Sequence, residues 1–418
     1  MIPPRILHVD ADAFFAAVAR LVDPEGAGKA KLLIVGGTKE SRGVVCSASW
    51  EARQYGVRSA MSIARAAKLC PDAMFVPVPG KACGIKSKEI RAVLQKFTPV
   101  VEGASVDEWY LDMAGTEAVY KHEPLRDTAH RIRATVKRET GMSISIGGGT
   151  NKLVAKMAVE RAKPKPGTSG DGVHIVPPGA EAEFLSTFNL ADIPMCGPKF
   201  QARLAALGMI TVPDFLRHDL VSLRRMLGAN AAEWLWDRAH GIGGSEVEGH
   251  GVQKSMSRDE TFPVDLTGDD EIERELLGLV TKAAYDLRQS GFTARTVTVK
   301  LRDKDFKTRS ARRTLPRPVV SDRIIMETAK ELLKKLRGVR RVPARLIGVA
   351  LSSLAEDVDA DQLNFFQADD KRLQTDRDVA IARTVDKVRK KFGRDGIVPG
   401  SLAERRTLGV GRRHERGK

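Results

Sequence analysis

No apolar run in this chain approaches the roughly 20 residues needed to cross a bilayer. Its first residues, "MIPPRILHVDADAFF", enter a strand pattern without a charged leader, a long apolar segment or a cleavage site. Membrane insertion and secretion are therefore not expected. Cysteine is scarce: Cys46, Cys70, Cys83 and Cys196 are widely scattered, with no C-x-x-C pair and no histidine spacing beside them. That pattern argues against a disulfide framework or a zinc site and fits small buried hydrophobes in a reducing compartment. With no histidine cluster either, a metal would have to be held by oxygen.

Positive charge, by contrast, is abundant. Lys and Arg number 69 against 53 Asp and Glu, a formal net charge of +16. A polyanion such as nucleic acid responds to such an excess through counterion release, whereas solubility alone is the blander explanation. The 42% apolar and 29% charged fractions are those of soluble globular proteins. A chain of 418 residues is too long for one ordinary core and points to about two to four domains.

"RILHVDADAFF" starts with apolar Ile6, Leu7 and Val9 and ends in carboxylates, the pattern of a buried strand delivering acid to its end. "KLLIVGG" reads as a second strand and "SAMSIARAAKLCPD" as a helix stopped by Pro71. "KSKEIRAVLQKFTP" and "LRDTAHRIRATVKRETG" have helical apolar spacing, and the strand "SISIGGG" precedes the helix "NKLVAKMAVERAKP". Helices alternating with strands around acidic strand ends predict an α/β sheet domain with a site at one edge. "KPKPGTSGDG" punctuates heavily enough to be a boundary. Short helices are expected from about Val173 to Gly244, then, after "GIGGSEVEGHG", an α+β domain from Lys254 to about Ala355. The polar remainder ends in "ERRTLGVGRRHERGK", expected to be a disordered basic tail.

"GASVDEWYLDMAG" sets Asp107 beside Glu108 in a strand–turn–strand. Neighbouring strand residues point to opposite faces, so the two acids can share a target only if the chain bends near them. By itself the stretch reads first as a solvated turn and second as an oxygen cage for a cation. Asp10 changes that balance. Carboxylates on neighbouring strands can converge on two Mg²⁺ ions about 3.5–4 Å apart, which clamp the attacking and leaving oxygens of an in-line displacement. A triphosphate would also need cations and a hydroxyl, for which Arg53, Lys163 and Ser47 are candidates. A lone Arg on a helix is more often a solvated face, and one of Phe14 and Phe15 is expected in the core.

"HVDADAFFAAV", "RGVVCSASWEARQYGVRSAM", "SVDEWYLDM" and "NKLVAKMAVERAKP" resemble, in order and spacing, successive signatures of the Y-family translesion DNA polymerases. "FNLADIPMCGPKFQARLAALGMITVPDF" is similar to their helix-hairpin-helix thumb, and "KSMSRDETF" with "RTVTVKLRDKDFKT" to their little-finger domain. The resemblance covers nearly all of residues 5–355. It implies a multidomain α/β and α+β right hand: palm 1–13 and 79–168, fingers 14–78, thumb 169–244, linker 245–254, little finger 255–356 and tail 357–418.

By resemblance, Asp10, Asp107, Glu108 and the backbone carbonyl of Ala11 hold two Mg²⁺ ions, with Asp107 and Glu108 catalytic and Asp12 not a ligand. Phe14 and Phe15 fall at the nucleotide, with Phe15 on the steric-gate position that excludes a 2′-hydroxyl. Ser47, Trp50, Arg53 and Lys163 match triphosphate positions, and Val44 and Cys46 match the small residues roofing the nascent base pair. Three residues depart from the pattern. Trp50 stands where a Tyr hydroxyl is usual, Trp109 where a small residue follows the acids, and Met195 where the thumb hairpin has glycine.

Gly197 and Lys199 in the thumb, and Lys300, Arg302, Lys304, Lys307, Arg309 and Arg312 in the little finger, are expected on DNA, positioning it without reading sequence. "QLNFF" resembles the peptide by which bacterial polymerases bind the sliding clamp, through Gln362, Leu363, Phe365 and Phe366. The expected protein is a monomeric, cytoplasmic, nucleoid-associated polymerase. It adds dNTPs to the primer of a primer-template DNA, with low fidelity and past damaged bases. The alternatives are a polymerase-like, non-catalytic repair scaffold and another palm-type nucleotidyl-transfer enzyme such as a cyclase, which would leave thumb and little finger without a role.

Overall fold

Alternation along "ILHVDA" sorts the first strand, β1 (Ile6–Ala11), into two faces. Leu7, Val9 and Ala11 join an apolar cluster, while His8 and Asp10 point the other way. The computed structural model describes residues 3–164, 170–249, 251, 253–356, 374–393 and 396–402. Its chain divides into two compact units, Met1–Gly251 and Val252–Lys418.

In the first unit, a sharp turn follows β1, with Ala13 in the left-handed region at φ 48°, and opens α1 (Phe14–Val22). Strands β2 (Leu33–Val35), β3 (Ser47–Ala48) and β4 (Met74–Val76) form a small sheet in the order β3-β2-β4. Helices α2 (Trp50–Gln54) and α3 (Ile63–Leu69) start on Ser49 and Ser62, whose side chains accept from the first turn of each helix. After α4 (Gly80–Leu94) come the hairpin strands β5 (Val101–Gly103) and β6 (Glu108–Asp112), then α5 (Leu125–Thr140), β7 (Ile144–Gly149), α6 (Lys152–Ala162) and β8 (Val173–Ile175).

The five-stranded sheet runs β5-β6-β1-β7-β8. Residues from α1, α4 and α5 cover the Leu7/Val9 face. Trp109 packs there too, 1% exposed and fully absorbed in the core on the side of β6 away from Glu108. α6 lies on the other face, against β7 and β1. Its approach depends on Gly147: a Cβ there would sit 2.2 Å from the Ala155 carbonyl oxygen and 2.3 Å from the Val159 nitrogen. One boundary differs from the expected division. β8 pairs in parallel with β7, so the sheet continues past residue 168 into the segment assigned to the thumb. The sequence conceals this because β8 is only three residues long.

Beyond β8 the helices α7 (Glu181–Ser186), α8 (Pro198–Ala206), α9 (Val212–Leu216), α10 (Leu220–Leu227) and α11 (Ala229–Ala239) share an apolar cluster with Leu153, Val154, Met157 and Ala158 of α6.

The second unit is a four-stranded antiparallel sheet, β11-β10-β12-β9, built from β9 (Ser255–Leu266), β10 (Phe292–Asp303), β11 (Thr308–Val319) and β12 (Ala344–Glu356). α12 (Asp269–Gln289) and α13 (Asp322–Val339) cover the face bearing Val297, Val299, Leu301, Ile347, Val349 and Leu351. The terminal stretch "ERRTLGVGRRHERGK" lies outside the described residues, but part of the polar segment before it is structured. Residues 374–393 contain α14 (Asp376–Phe392), anchored on this unit: Arg288 grips both oxygens of Asp386 at 2.7 and 2.9 Å, and Arg323 both oxygens of Asp378 at 2.9 Å. Polar composition was a poor guide here because the anchoring contacts are themselves ionic.

Candidate active site

A cleft of about 150 Å³ in the first unit is lined by Asp10, Asp107, Arg53, Lys163 and Phe15, among others. β1 supplies Asp10, and the turn entering β6 supplies Asp107, whose main-chain oxygen accepts from Ala11 N at 3.0 Å. Cross-strand pairing sets Asp10 directly opposite Glu108. The sheet thus gathers the three expected acids at the level of the backbone. Their side chains are another matter: Glu108 does not line the cleft. Among the described residues, no three Asp, Glu, His or Cys side chains stand close enough together to hold a metal ion.

Lysines explain the separation. Lys163, the C-cap of α6, has its Nζ 3.0 Å from Asp10 Oδ2 and 2.6 Å from Glu160 Oε1. Lys156 donates to Glu108 Oε2 at 2.7 Å, and Lys152 to Glu102 Oε2 at 2.6 Å. Carboxylates with like-charged neighbours turn toward the nearest ammonium. The donor set itself fits a hard divalent cation, since it is all oxygen and the main chain of Ala11 runs beside it.

Electrostatics divide the acids. Burial pushes the Asp10 carboxyl up to about 6, with Lys163 pulling the other way. Glu108 is held down to about 2 by the His8 imidazole and the Lys156 ammonium. His8 is completely buried, and burial lowers its own pKa. Its Nε2 lies 3.6 Å from Glu108 Oε2, beyond hydrogen-bond length, so Lys156 is the closer partner. Asp12 accepts from Ser143 at 2.7 Å and Ser145 at 2.6 Å, which occupies both its oxygens.

Around the acids, Phe14 is buried at 2% exposure, while Phe15 is half-buried at the cleft, edge-on to Phe14. Ser47 and Cys46 also line the cleft; Val44 is exposed outside it. Arg53 lies over the Trp50 ring at 4.9 Å, its Nε donating to Ala48 O at 3.1 Å. In the helical region, Gly197 is the N-cap of α8 and Lys199 is exposed. Met195 takes the left-handed conformation, φ 71°, that suits the glycine it replaces.

The basic run of the second unit splits by strand parity. Lys300 and Arg302 of β10 lie opposite Ser310 and Thr308, and Arg312 opposite Thr298, all on the face away from the helices; Lys304 and Lys307 are exposed in the β10–β11 turn. Arg309 stands apart from these. It faces the helices and is bonded at 2.9 Å to Asp303, a carboxylate with no solvent exposure, so a buried counter-charge claims it. Lys152, Lys156 and His8 escape sequence reasoning. The signal available was the helical spacing of Lys152, Lys156 and Lys163, and the shared strand parity of His8 and Asp10. Gln362, Leu363, Phe365 and Phe366 lie outside the described residues.

Residues 9–160 match the impB/mucB/samB family, and residues 253–365 match the impB/mucB/samB family C-terminal domain. The chain is 35% identical over 400 residues to a DNA polymerase IV of Dehalococcoides mccartyi, covering 95% of this chain and 97% of that protein. It is 36% identical over 396 residues to a DNA polymerase IV of Caulobacter vibrioides, covering 94% and 93%. Among solved structures, it is similar to a Y-family DNA polymerase chimera, Dbh-Dpo4(243-245)-Dbh. The TM-score is 0.73 at 25% identity, over 84% of this chain and 99% of that one. An insertion ternary complex of Dbh DNA polymerase gives 0.59 at 26% identity, over 83% and 98%.

Proposed function

Because this chain belongs to the impB/mucB/samB family of Y-family DNA polymerases, we propose that its acidic cleft is where a dNTP is joined to a primer. The protein is a DNA-directed DNA polymerase that copies a template with low fidelity and past damaged bases. Primer-template DNA and dNTP are its substrates. The primer 3′-hydroxyl attacks the α-phosphorus of the dNTP and pyrophosphate leaves.

Asp10, Asp107, Glu108 and the Ala11 carbonyl would hold two Mg²⁺ ions, whose charge would favour the ionised hydroxyl and offset that on the leaving oxygens. Arg53 and Lys163 bind the triphosphate, assisted by the Ser47 hydroxyl and the Trp50 indole N–H. Phe15 stacks against the sugar and excludes a 2′-hydroxyl, and Val44 and Cys46 form the low roof. Gly197, Lys199, Lys300, Arg302, Lys304, Lys307 and Arg312 contact the DNA backbone, without Arg309. The QLNFF peptide engages the sliding clamp. The enzyme works as a monomer in the cytoplasm, at the nucleoid.

The supporting observation is that two of the acids, both triphosphate cations and the gate ring line one cleft. A scaffold role would leave that convergence without a purpose. The test is primer extension on undamaged and damaged templates beside Asp107→Ala. Wild type should extend both, and the variant should bind primed DNA without extending it. A wild-type protein that binds primed DNA but never extends it defeats the reading.

A further inference from the structure

α6 carries Lys152 and Lys156 four residues apart, on one stripe of the helix, and ends on Lys163, its C-cap. Gly147 lets that helix lie against the acidic face of the sheet. Each lysine meets a different carboxylate: Glu102, Glu108 and Asp10 in turn. Only two of these acids belong to the proposed metal set. Lys163 divides its charge between Asp10 and Glu160, whereas for Lys156 Glu108 is the one ion-pair partner among the described residues. Glu108 lacks a second cation there, its other neighbour being a buried imidazole with both nitrogens unpartnered.

We infer that Lys156 is an internal counter-cation for Glu108: it holds the carboxylate in the metal-free enzyme and competes with the divalent ion for Glu108 Oε2. The inference rests on the reading of Glu108 as a metal ligand. Its physical basis is that an ammonium at 2.7 Å must be withdrawn from Glu108 Oε2 before that oxygen can face a cation, and that the two positive charges repel at close range. Lys156 is thus a positioning residue. It orders the catalytic carboxylate before the metal and nucleotide arrive, at the expense of metal affinity.

The experiment is a Mn²⁺ titration of the full chain without DNA or nucleotide, followed by electron paramagnetic resonance, on Lys156→Met, Lys156→Arg, Lys152→Met and Glu108→Gln. Lys156→Met should bind Mn²⁺ roughly tenfold more tightly, the order expected from deleting one nearby like charge in a solvent-accessible cleft. Its metal-free form should melt lower and recover on Mn²⁺ addition. Lys156→Arg should bind as wild type, and Lys152→Met should be unchanged because Glu102 is outside the metal set. Lys156→Gln stands in if Lys156→Met does not fold. Unchanged Mn²⁺ affinity in Lys156→Met, or an equal gain in Lys152→Met, overturns the inference. If Glu108→Gln binds Mn²⁺ as wild type does, it is the ligand assignment that fails.

Discussion

Asp10 and Glu108 are cross-strand partners on β1 and β6, yet their carboxylates are neutralised by different lysines, Lys163 at the C-cap of α6 and Lys156 within it. Their environments then drive them apart in acidity: burial dominates at Asp10, and its neighbours dominate at Glu108.

That division gives the two acids opposite effects on the stability of metal-free protein. With its pKa raised to about 6, folded Asp10 holds a proton that the unfolded chain has released, so stability falls as pH rises from about 4 to 6. Asp10→Asn should therefore stabilise the protein at pH 7–8 by about 2 kcal/mol, with no gain below about pH 4. Glu108, depressed to about 2, contributes stability above about pH 4 that is lost as pH falls toward its folded value. Glu108→Gln should destabilise at pH 7, by about 1 kcal/mol once solvent screening of the Lys156 pair is allowed for, and converge with wild type near pH 2. Urea denaturation in EDTA across pH reads both; shifts of the same sign at pH 7 would contradict the division.

Phe15, not Phe14, is the ring at the cleft. Phe15→Ala should raise ribonucleotide incorporation roughly tenfold or more, as removal of a clash worth about 1–3 kcal/mol would. Phe14→Ala should instead cost about 3–5 kcal/mol of stability, the usual effect of emptying a core position. Single-nucleotide insertion of rNTP against dNTP measures the first. Unchanged discrimination removes the gate assignment.

Met195, 86% exposed at φ 71°, is strained without packing to compensate. Met195→Gly should relieve the left-handed backbone, offset in part by the greater freedom of glycine when unfolded, for a net gain of about 0.5–1 kcal/mol. Tighter binding of primed DNA should accompany it, because the hairpin amides become freer to cradle a phosphate. A lower urea midpoint than wild type would refute the strain argument.

α14 hangs on charge. Asp386 and Arg288 leave only 8% and 6% of their side chains exposed, and removing one partner of a buried pair costs about 3–5 kcal/mol. Asp386→Ala should free the helix, with amide exchange accelerating over residues 376–392 well before the sheet exchanges. Uniform acceleration through β9–β12 would show instead that α14 is integral to the unit's core.

QLNFF lies between two anchored elements, β12 and α14. Deleting Gln362–Phe366 should abolish stimulation by the sliding clamp and spare basal primer extension. Equal loss of both would assign the segment a structural role.

The α/β alternation, the helical stretch and the α+β unit were legible because each rests on local periodicity. Acids on neighbouring strands were expected to converge, and cross-strand register makes Asp10 and Glu108 partners. What stayed hidden depended on tertiary contact. Arg309 looked like its basic neighbours until Asp303 claimed it, and polar residues 374–393 gave no sign of the arginines awaiting them. Lys156 looked like any solvent-facing lysine, because a helix stripe discloses its partner only once the helix is docked.

Gly147 has a consequence out of proportion to its size. A single methyl group at that position would meet the α6 backbone and drive the helix away from the sheet. Amine tips that now just touch their acids would then fall short, with no charge altered anywhere. The ionic character of this face of the sheet is in this sense a matter of clearance, fixed by an atom the residue does not have.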